Sequence, residues 1–390
     1  MNDAASGAYT FRLPTEVRFG EGIAFGLGDA VRELGARRVL IVTDPGVRQV
    51  GIVDRLIQTL AAPEVAIEIF DAVSPNPRDV ECVAGAQRAR VFGANLVVGI
   101  GGGSPLDAAK AIAGLATNEG PPGAWEAPRA FSNPPLPVIA VPTTAGTGAE
   151  VSWSAVITDT DRHLKMTVRD VQLAPRIALV DPELTYSTPR ALTAAVGMDT
   201  LTHAVEAYTC RLANPISDAL ALQAIRLVAA NLLRVVQDGN DRPARAAMMQ
   251  ASLLAGMAFR NADVGAVHCL AEAIGGRYDT PHGVANAVFL AGVFAHNVPA
   301  NPERHAAVAE ALGVEPSDHG ALRTAGNGAE ALRRLAHAAG IPPLSELPGV
   351  DPADFPLIAE AAVHNLSNQS NARPLTVEEY ERLLRHAWAD

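Results

Sequence analysis

Cysteine is almost absent, with three in 390 residues, Cys82, Cys210 and Cys269. They are too few and too scattered for a disulfide framework, and their spacings fit no thiolate metal motif. Aromatic residues make up only 5% of the chain, and the plentiful Ala and Gly favour close-packed helices over a β-sandwich. Basic residues are in deficit, 31 against 42 acidic, for a net charge of −11. That balance argues against nucleic acid or an anionic membrane as partner. It leaves room for a small anionic ligand, which needs only one local cradle. No apolar run approaches the ~18 residues of a membrane span. The opening MNDAASGAYTFRLP has neither the basic region nor the apolar core of a secretory signal. A soluble, reduced, cytoplasmic protein is the expectation. Internal repeats and low-complexity tracts are also missing.

What is present divides the chain in two. Hydrophobic residues make up 48%, enough for a large core, and the length suggests two or three domains. From Thr15 to about Asp181, short Val/Ile-rich runs (Arg37–Thr43, Ala66–Phe70, Leu96–Ile100, Val138–Pro142) alternate with stretches of helical spacing (Ile23–Leu34, Gly51–Leu60, Pro77–Phe92). That alternation predicts an α/β domain with a parallel sheet covered on both faces. After Pro182 an Ala/Leu-rich helical pattern runs to the C-terminus, with the boundary near 182–188. Thr188 reads as an N-cap with Pro189 at the first helical position. Helices near 216–237 and 242–260 flank the Asp238-Gly-Asn-Asp loop, and Thr376 with Glu379 forms a capping-box pattern opening the last helix. Glu119–Pro137, with six prolines, reads as an extended loop.

Three loops at strand ends offer polar ligand chemistry. LVVGIGGGSPLDAAK (96–110) runs from a buried strand through Gly99, Gly101, Gly102 and Gly103 to Ser104 and a helix. Bare glycines admit an anion to the backbone, and the helix start adds free N–H groups. The usual G-x-G-x-x-G fingerprint is not met, because Ser104 stands at its third glycine; a plain tight turn would look similar. Asp44 ends another strand, where a carboxylate can bind an adenosine ribose and repel a 2′-phosphate, or merely form a turn before Pro45. Thr143, Thr144 and Thr147 in PTTAGTGAE (142–150) offer hydroxyls after a third strand. All three loops lie at the sheet edge where open α/β folds bind ligands.

The helical half offers metal ligands. Asp199 and His203 are at i, i+4 on one helix face, with Cβ atoms roughly 6 Å apart, which suits either two ligands or a simple Asp–His pair. His268 and His282 would lie about 21 Å apart on one continuous helix, but Gly275, Gly276 and Pro281 predict a break that lets them converge. One carboxylate with three imidazoles suits Fe(II) or Zn(II). The other seven histidines (163, 296, 305, 319, 337, 364, 386) read as surface or loop residues, and the polar stretch after His364 as a solvated helix end.

With these motifs the chain resembles the iron-containing (group III) alcohol dehydrogenases, relatives of dehydroquinate synthase and glycerol dehydrogenase. The resemblance rests on GGGSPLDAAK (101–110), PTTAGTGAE (142–150), GMDTLTHAVEAY (197–208) and H…GGRYDTPHGVANA (268–287), and it covers nearly the whole length. It implies a Rossmann-like nucleotide-binding domain over 1–184 and an all-α domain over 185–390 for metal and substrate, in a dehydroquinate synthase-like arrangement with a cleft between them. It implies Asp199, His203, His268 and His282 as metal ligands. Gly102, Gly103 and Ser104 would hold a pyrophosphate, Thr143, Thr144 and Thr147 would line the cofactor, and Asn76 and Lys165 would lie near it. Asp44 stands where an acidic residue favours NAD over NADP. One departure concerns Glu272, which occupies the position of a second histidine credited with proton relay in many members. One turn after His268, a carboxylate raised in pKa by burial could carry that proton, or it could shape the pocket.

The function implied is reversible hydride transfer between a small alcohol and NAD, with Fe2+ or Zn2+ polarising the alcohol oxygen, in a homo-oligomer. Three rivals share the fold. A dehydroquinate synthase-like lyase needs basic residues round a phosphorylated substrate, whereas 197–208 and 261–287 contain only Arg277, with Arg260 just outside. A metal-free enzyme like maleylacetate reductase is opposed by the complete Asp/His/His/His set. A non-catalytic binding protein would bind cofactor without turnover. Trp153 and Phe259 are candidates for pocket or core.

Overall fold

The computed structural model describes residues 8–60 and 64–389; the first seven residues of the stretch read for a signal lie outside them. The chain forms two compact units, Leu13–Thr144 with Gly148–Ser187, and Met1–Arg12 with Ala145–Thr147 and Thr188–Asp390.

The first unit contains β1 (Glu16–Phe19), α1 (Leu27–Glu33), β2 (Arg38–Val42), α2 (Pro45–Gln49), α3 (Ile52–Ile57), β3 (Ala66–Phe70), α4 (Asp79–Phe92), β4 (Leu96–Gly101), α5 (Gly103–Thr117), β5 (Val138–Pro142), β6 (Ser154–Asp159), β7 (Leu164–Arg169) and β8 (Ile177–Val180). Six strands form one parallel sheet in the order β1-β8-β5-β4-β2-β3. Its two faces follow from side-chain alternation along each strand. Val39 and Ile41 of β2 pack with α1 and α3, through Leu27, Val31, Ile52 and Leu56. Leu40 and Val42 pack on the other face with Cys82 and Ala86 of α4 and Ile112 of α5. Each such fully buried aliphatic contributes roughly 1.5–3 kcal/mol, so a one-residue slip of β2 would be prohibitive. The four expected strands are present. β1, β8 and the antiparallel β6–β7 hairpin went unread because they are short, or alternate apolar with polar residues in a stretch rich in turns.

The second unit is helical: α6 (Arg190–Thr209), α7 (Pro215–Gln237), α8 (Arg242–Asn261), α9 (Ala266–Tyr278), α10 (His282–Asn297), α11 (Pro302–Ala311), α12 (Ala321–Ala339), α13 (Phe355–His364) and α14 (Val377–Ala389). α6 is its central element: every residue from Gly197 to Thr209 is buried. The Thr376–Glu379 capping box forms as expected, with each residue's side chain accepting from the other's backbone N–H at 2.9 and 3.3 Å.

Several expectations need correction. α6 starts one residue late, with Pro189 rather than Thr188 at the N-cap and no side-chain cap; the Thr188 carbonyl accepts from Thr193 and Arg245 instead. Gly275 and Gly276 sit inside α9, and the break falls at Asp279, whose φ of 55° is left-handed. His305 is fully buried, its ring edge-on to Phe294 at 4.8 Å. The stretch after His364 is not simply solvated, since Asn368 is buried and bonds Tyr380 and Leu375. Finally, α7 and the segment His282–Ala300 do reach membrane-span length and mean hydropathy (1.6 and 1.3), although no apolar run in either is unbroken. Both bury core-facing sides within the helical unit.

Candidate active site

In the α/β unit, the chain leaves β2 to one side towards β3 and returns to β4 on the other. The carboxyl ends of β2 and β4 therefore flank the switch point of the sheet, the crevice where such folds take ligands. Asp44 follows β2 and Gly102–Ser104 follow β4. Gly101 has φ +152°, and a Cβ there would lie 2.5 Å from Pro105 Cγ and 3.4 Å from Asp44 Oδ2. Only glycine lets the strand turn this tightly into α5 beside the Asp44 carboxylate. A Cβ on Gly102 would meet Thr144 Oγ1 at 3.2 Å, and Thr143 N–H donates to the Gly101 carbonyl at 2.9 Å. Gly102 caps α5 without a side-chain hydrogen bond, so the first N–H groups of the helix are left for an anion.

Asp44 has a second task. Its Oδ1 accepts from Val47 N–H at 2.9 Å and caps α2, so the turn role and a role facing the glycines coexist. Asn76, with φ 55°, accepts from Lys165 Nζ at 2.9 Å, which brings those two together. Thr147 belongs to the segment Ala145–Thr147 that groups with the helical unit. There Thr200 of α6 donates to the Ala145 carbonyl at 3.1 Å.

In the helical unit, Asp199, His203, His268 and His282 each bring one donor atom into a group whose members all lie within 4.8 Å of one another. α6 supplies the first two residues, α9 the third, and His282 is the first residue of α10. The short break at 279–281 reverses the chain and returns His282 beside His268, with ring centroids 5.3 Å apart. Gly283 permits this approach, since a Cβ there would lie 2.5 Å from the Ala195 carbonyl of α6. Asp199 Oδ1 is 3.9 Å from both His203 Nδ1 and His282 Nε2. The His203 ring stacks on Phe259 at 4.5 Å, so Phe259 packs against this cluster.

The electrostatics suit a cation. Burial pushes the His203 pKa down to about 4, the Asp199 charge only partly opposing it, so the ring is neutral and a lone pair is available at pH 7. His203 Nδ1 is buried with no hydrogen-bond partner among the described residues. Burial likewise opposes charge on His268, but the Glu206 carboxylate bonded to its ring more than offsets this and leaves its pKa above the ordinary value. The Asn286 amide nitrogen lies 2.7 Å from Asp199 Oδ1 and 3.2 Å from both His268 Nε2 and His282 Nε2. Two N–H bonds cannot satisfy three acceptors aimed at one place. One oxygen and three imidazole donors converging within 4.8 Å fit a divalent ion of the Fe(II) or Zn(II) type.

Two supporting residues were not singled out from sequence. Glu206 is 4% exposed. Its carboxylate accepts from Gly265 and Val267 N–H at 2.9 and 2.7 Å and lies 2.6 Å from His268 Nδ1. It thus caps α9 and directs His268 Nε2 towards the cluster, the partnership that orients metal-binding imidazoles. The signal was present, because 199, 203 and 206 follow i, i+4, i+7 on one helix face. Asn286, four residues after His282, is the other. Behind them Asn371 accepts from Ala266 N–H at 3.1 Å and exchanges hydrogen bonds with Asn297. Glu272 lies one turn after His268, its Oε2 accepting from Asn365 at 2.6 Å.

Comparison with known proteins decides the family. The profile described as "Iron-containing alcohol dehydrogenase" matches residues 14–182, and "Fe-containing alcohol dehydrogenase family, C-terminal" matches 193–388. The chain belongs to the iron-containing alcohol dehydrogenase family. It is 41% identical to 1,3-propanediol dehydrogenase of Klebsiella pneumoniae over 382 residues, covering 97% of this chain and 99% of the relative. It is 37% identical to the NAD-dependent methanol dehydrogenase of Bacillus methanolicus, covering 97% and 99%. The solved structure of an alcohol dehydrogenase from Oenococcus oeni superposes with a TM-score of 0.93 at 35% identity, over 97% of this chain and all of the other. This dehydrogenase therefore has the family's α/β and helical units, and it is an oxidoreductase of alcohols and aldehydes.

Proposed function

We propose that the enzyme interconverts a small primary alcohol and its aldehyde with NAD, using Fe2+ or Zn2+ held by Asp199, His203, His268 and His282. The convergence of those four donors within 4.8 Å carries the reading. When bound, the divalent ion supplies the Lewis acidity that lets an alcohol hydroxyl ionise near neutral pH, and the nicotinamide supplies the hydride acceptor.

The chain's own residues do the rest. Glu206 fixes the His268 tautomer, Asn286 holds the Asp199 carboxylate, and Phe259 walls one side of the His203 ring. In the α/β unit, Gly102, Gly103 and Ser104 present backbone N–H groups to the pyrophosphate, with Thr143 and Thr144 beside them; Asn76, Lys165 and Thr147 complete the cofactor contacts. Asp44 accepts from the adenosine ribose and repels a 2′-phosphate, which favours NAD. The name of the Bacillus methanolicus relative specifies NAD, which supports this choice. Cytoplasmic residence is supported by three free, buried cysteines, and assembly into a homo-oligomer belongs to the same proposal.

The test is NADH absorbance with metal-stripped protein, NAD, a panel of primary alcohols, and added Fe2+ or Zn2+. NADH formation restored by metal and lost in His268→Ala supports the reading. Tight NAD binding without NADH formation across the panel, with metal present, overturns it.

A further inference from the structure

Among the described residues, Glu272 is a carboxylate beside the metal cluster that forms no ion pair. It follows His268 by one helical turn on the same face of α9, which places the two Cβ atoms about 6 Å apart. The side chain is partly exposed, and one oxygen is fixed by the Asn365 amide at 2.6 Å. The other oxygen has no hydrogen-bond partner, and no Lys or Arg pairs with the carboxylate among the described residues. Neither α6 beyond Arg190 nor α9 before Arg277 contains a Lys or Arg. Arg277 itself turns to Asp354.

We propose that Glu272 is a specificity residue that selects alcohols carrying an ammonium group two or three carbons from the hydroxyl. This rests on the dehydrogenase reading above. A spacer of that length, built of ~1.5 Å bonds, lets the hydroxyl reach the metal cluster while the ammonium meets the free oxygen of Glu272. The Asn365 hydrogen bond holds the carboxylate in place, so the ion pair forms without first ordering a mobile side chain. A direct ion pair at a partly exposed site is worth roughly a tenfold preference.

The test compares 3-amino-1-propanol with 1,3-propanediol, which differ only in the terminal group, on the metal-loaded full chain. Wild type is expected to favour the amino alcohol in kcat/KM by about tenfold or more. Glu272→Gln, which keeps an oxygen for Asn365, is expected to remove most of that preference through a higher KM, and Glu272→Asp to retain part of it. Calorimetry of 3-amino-1-propanol binding gives a readout independent of turnover, with Kd about tenfold weaker in Glu272→Gln. A wild-type ratio of one or below, or an equal effect of the substitution on both alcohols, overturns the proposal while leaving the dehydrogenase reading intact. If neither alcohol is oxidised, the panel of primary alcohols decides on the dehydrogenase reading, and calorimetry still decides on Glu272: unchanged binding in Glu272→Gln overturns the proposal.

Discussion

Replacing Glu206 by Gln tests whether the metal cluster is held from behind. The wild-type carboxylate accepts three hydrogen bonds, from Gly265 N–H, Val267 N–H and the His268 ring. A Gln side chain has one acceptor oxygen, and its NH2 must face at least one N–H. A buried donor left unsatisfied costs about 1–3 kcal/mol, so the folded state should be destabilised by that amount. The larger consequence concerns metal. Without the charged partner His268 is a weaker base and its ring is less firmly oriented, and loss of such a partner typically lowers metal affinity 10- to 100-fold, or about 1.4–2.7 kcal/mol. Competition with a chromophoric chelator for Zn2+ measures this directly, with far-UV circular dichroism checking that the variant is folded. Affinity within twofold of wild type in a folded Glu206→Gln protein would refute the idea that Glu206 positions His268.

Other predictions follow from the same geometry. Burial pushes the Glu150 pKa up to about 7, its own backbone hydrogen bond and Lys110 only partly opposing, so the folded state binds this proton more tightly than the unfolded chain does. Its contribution to stability is complete below the unfolded value of about 4.3 and is lost as pH rises to about 7. Glu150→Gln should therefore be more stable than wild type at pH 8, on the order of 3–4 kcal/mol, with little difference at pH 4; denaturant unfolding at the two pH values checks this. Gly283→Ala forces a Cβ to within 2.5 Å of the Ala195 carbonyl. Overpacking of about 1–3 kcal/mol should lower Tm and weaken metal binding together, and a Tm unchanged from wild type would contradict the close approach. Asp44→Ser keeps an N-cap for α2 but removes the charge. It should raise kcat/KM with NADP relative to NAD at least about tenfold, and an unchanged ratio would remove Asp44 from cofactor choice.

Much of this was legible in the sequence wherever one physical pattern had no competitor. The buried runs of β2 and β4 alternate cleanly between two covered faces, and α7 and α8 are bounded by strong loop residues. Asp199 and His203 share a helix face by spacing alone. Convergence of His268 and His282 was legible too, and half of its signal held: Pro281 stands in the break between α9 and α10, whereas the paired glycines lie inside α9 and the turn is made at Asp279 in a left-handed conformation. Glu206 and His305 were hidden for a common cause. A polar residue in an apolar helix face has its meaning set by what the next helix brings against it, which local pattern does not encode. β1 and β8 are four residues each, and their pairing comes from the sheet rather than from their own propensity.

The most direct test of the central claim is a metal titration of the stripped enzyme, with NADH formation from a primary alcohol followed at each step. The account predicts activity that rises to a plateau at one Fe2+ or Zn2+ per chain, with Asp199→Ala showing neither tight binding nor activity. Full turnover by metal-free protein, or activity of Asp199→Ala equal to wild type, would contradict it.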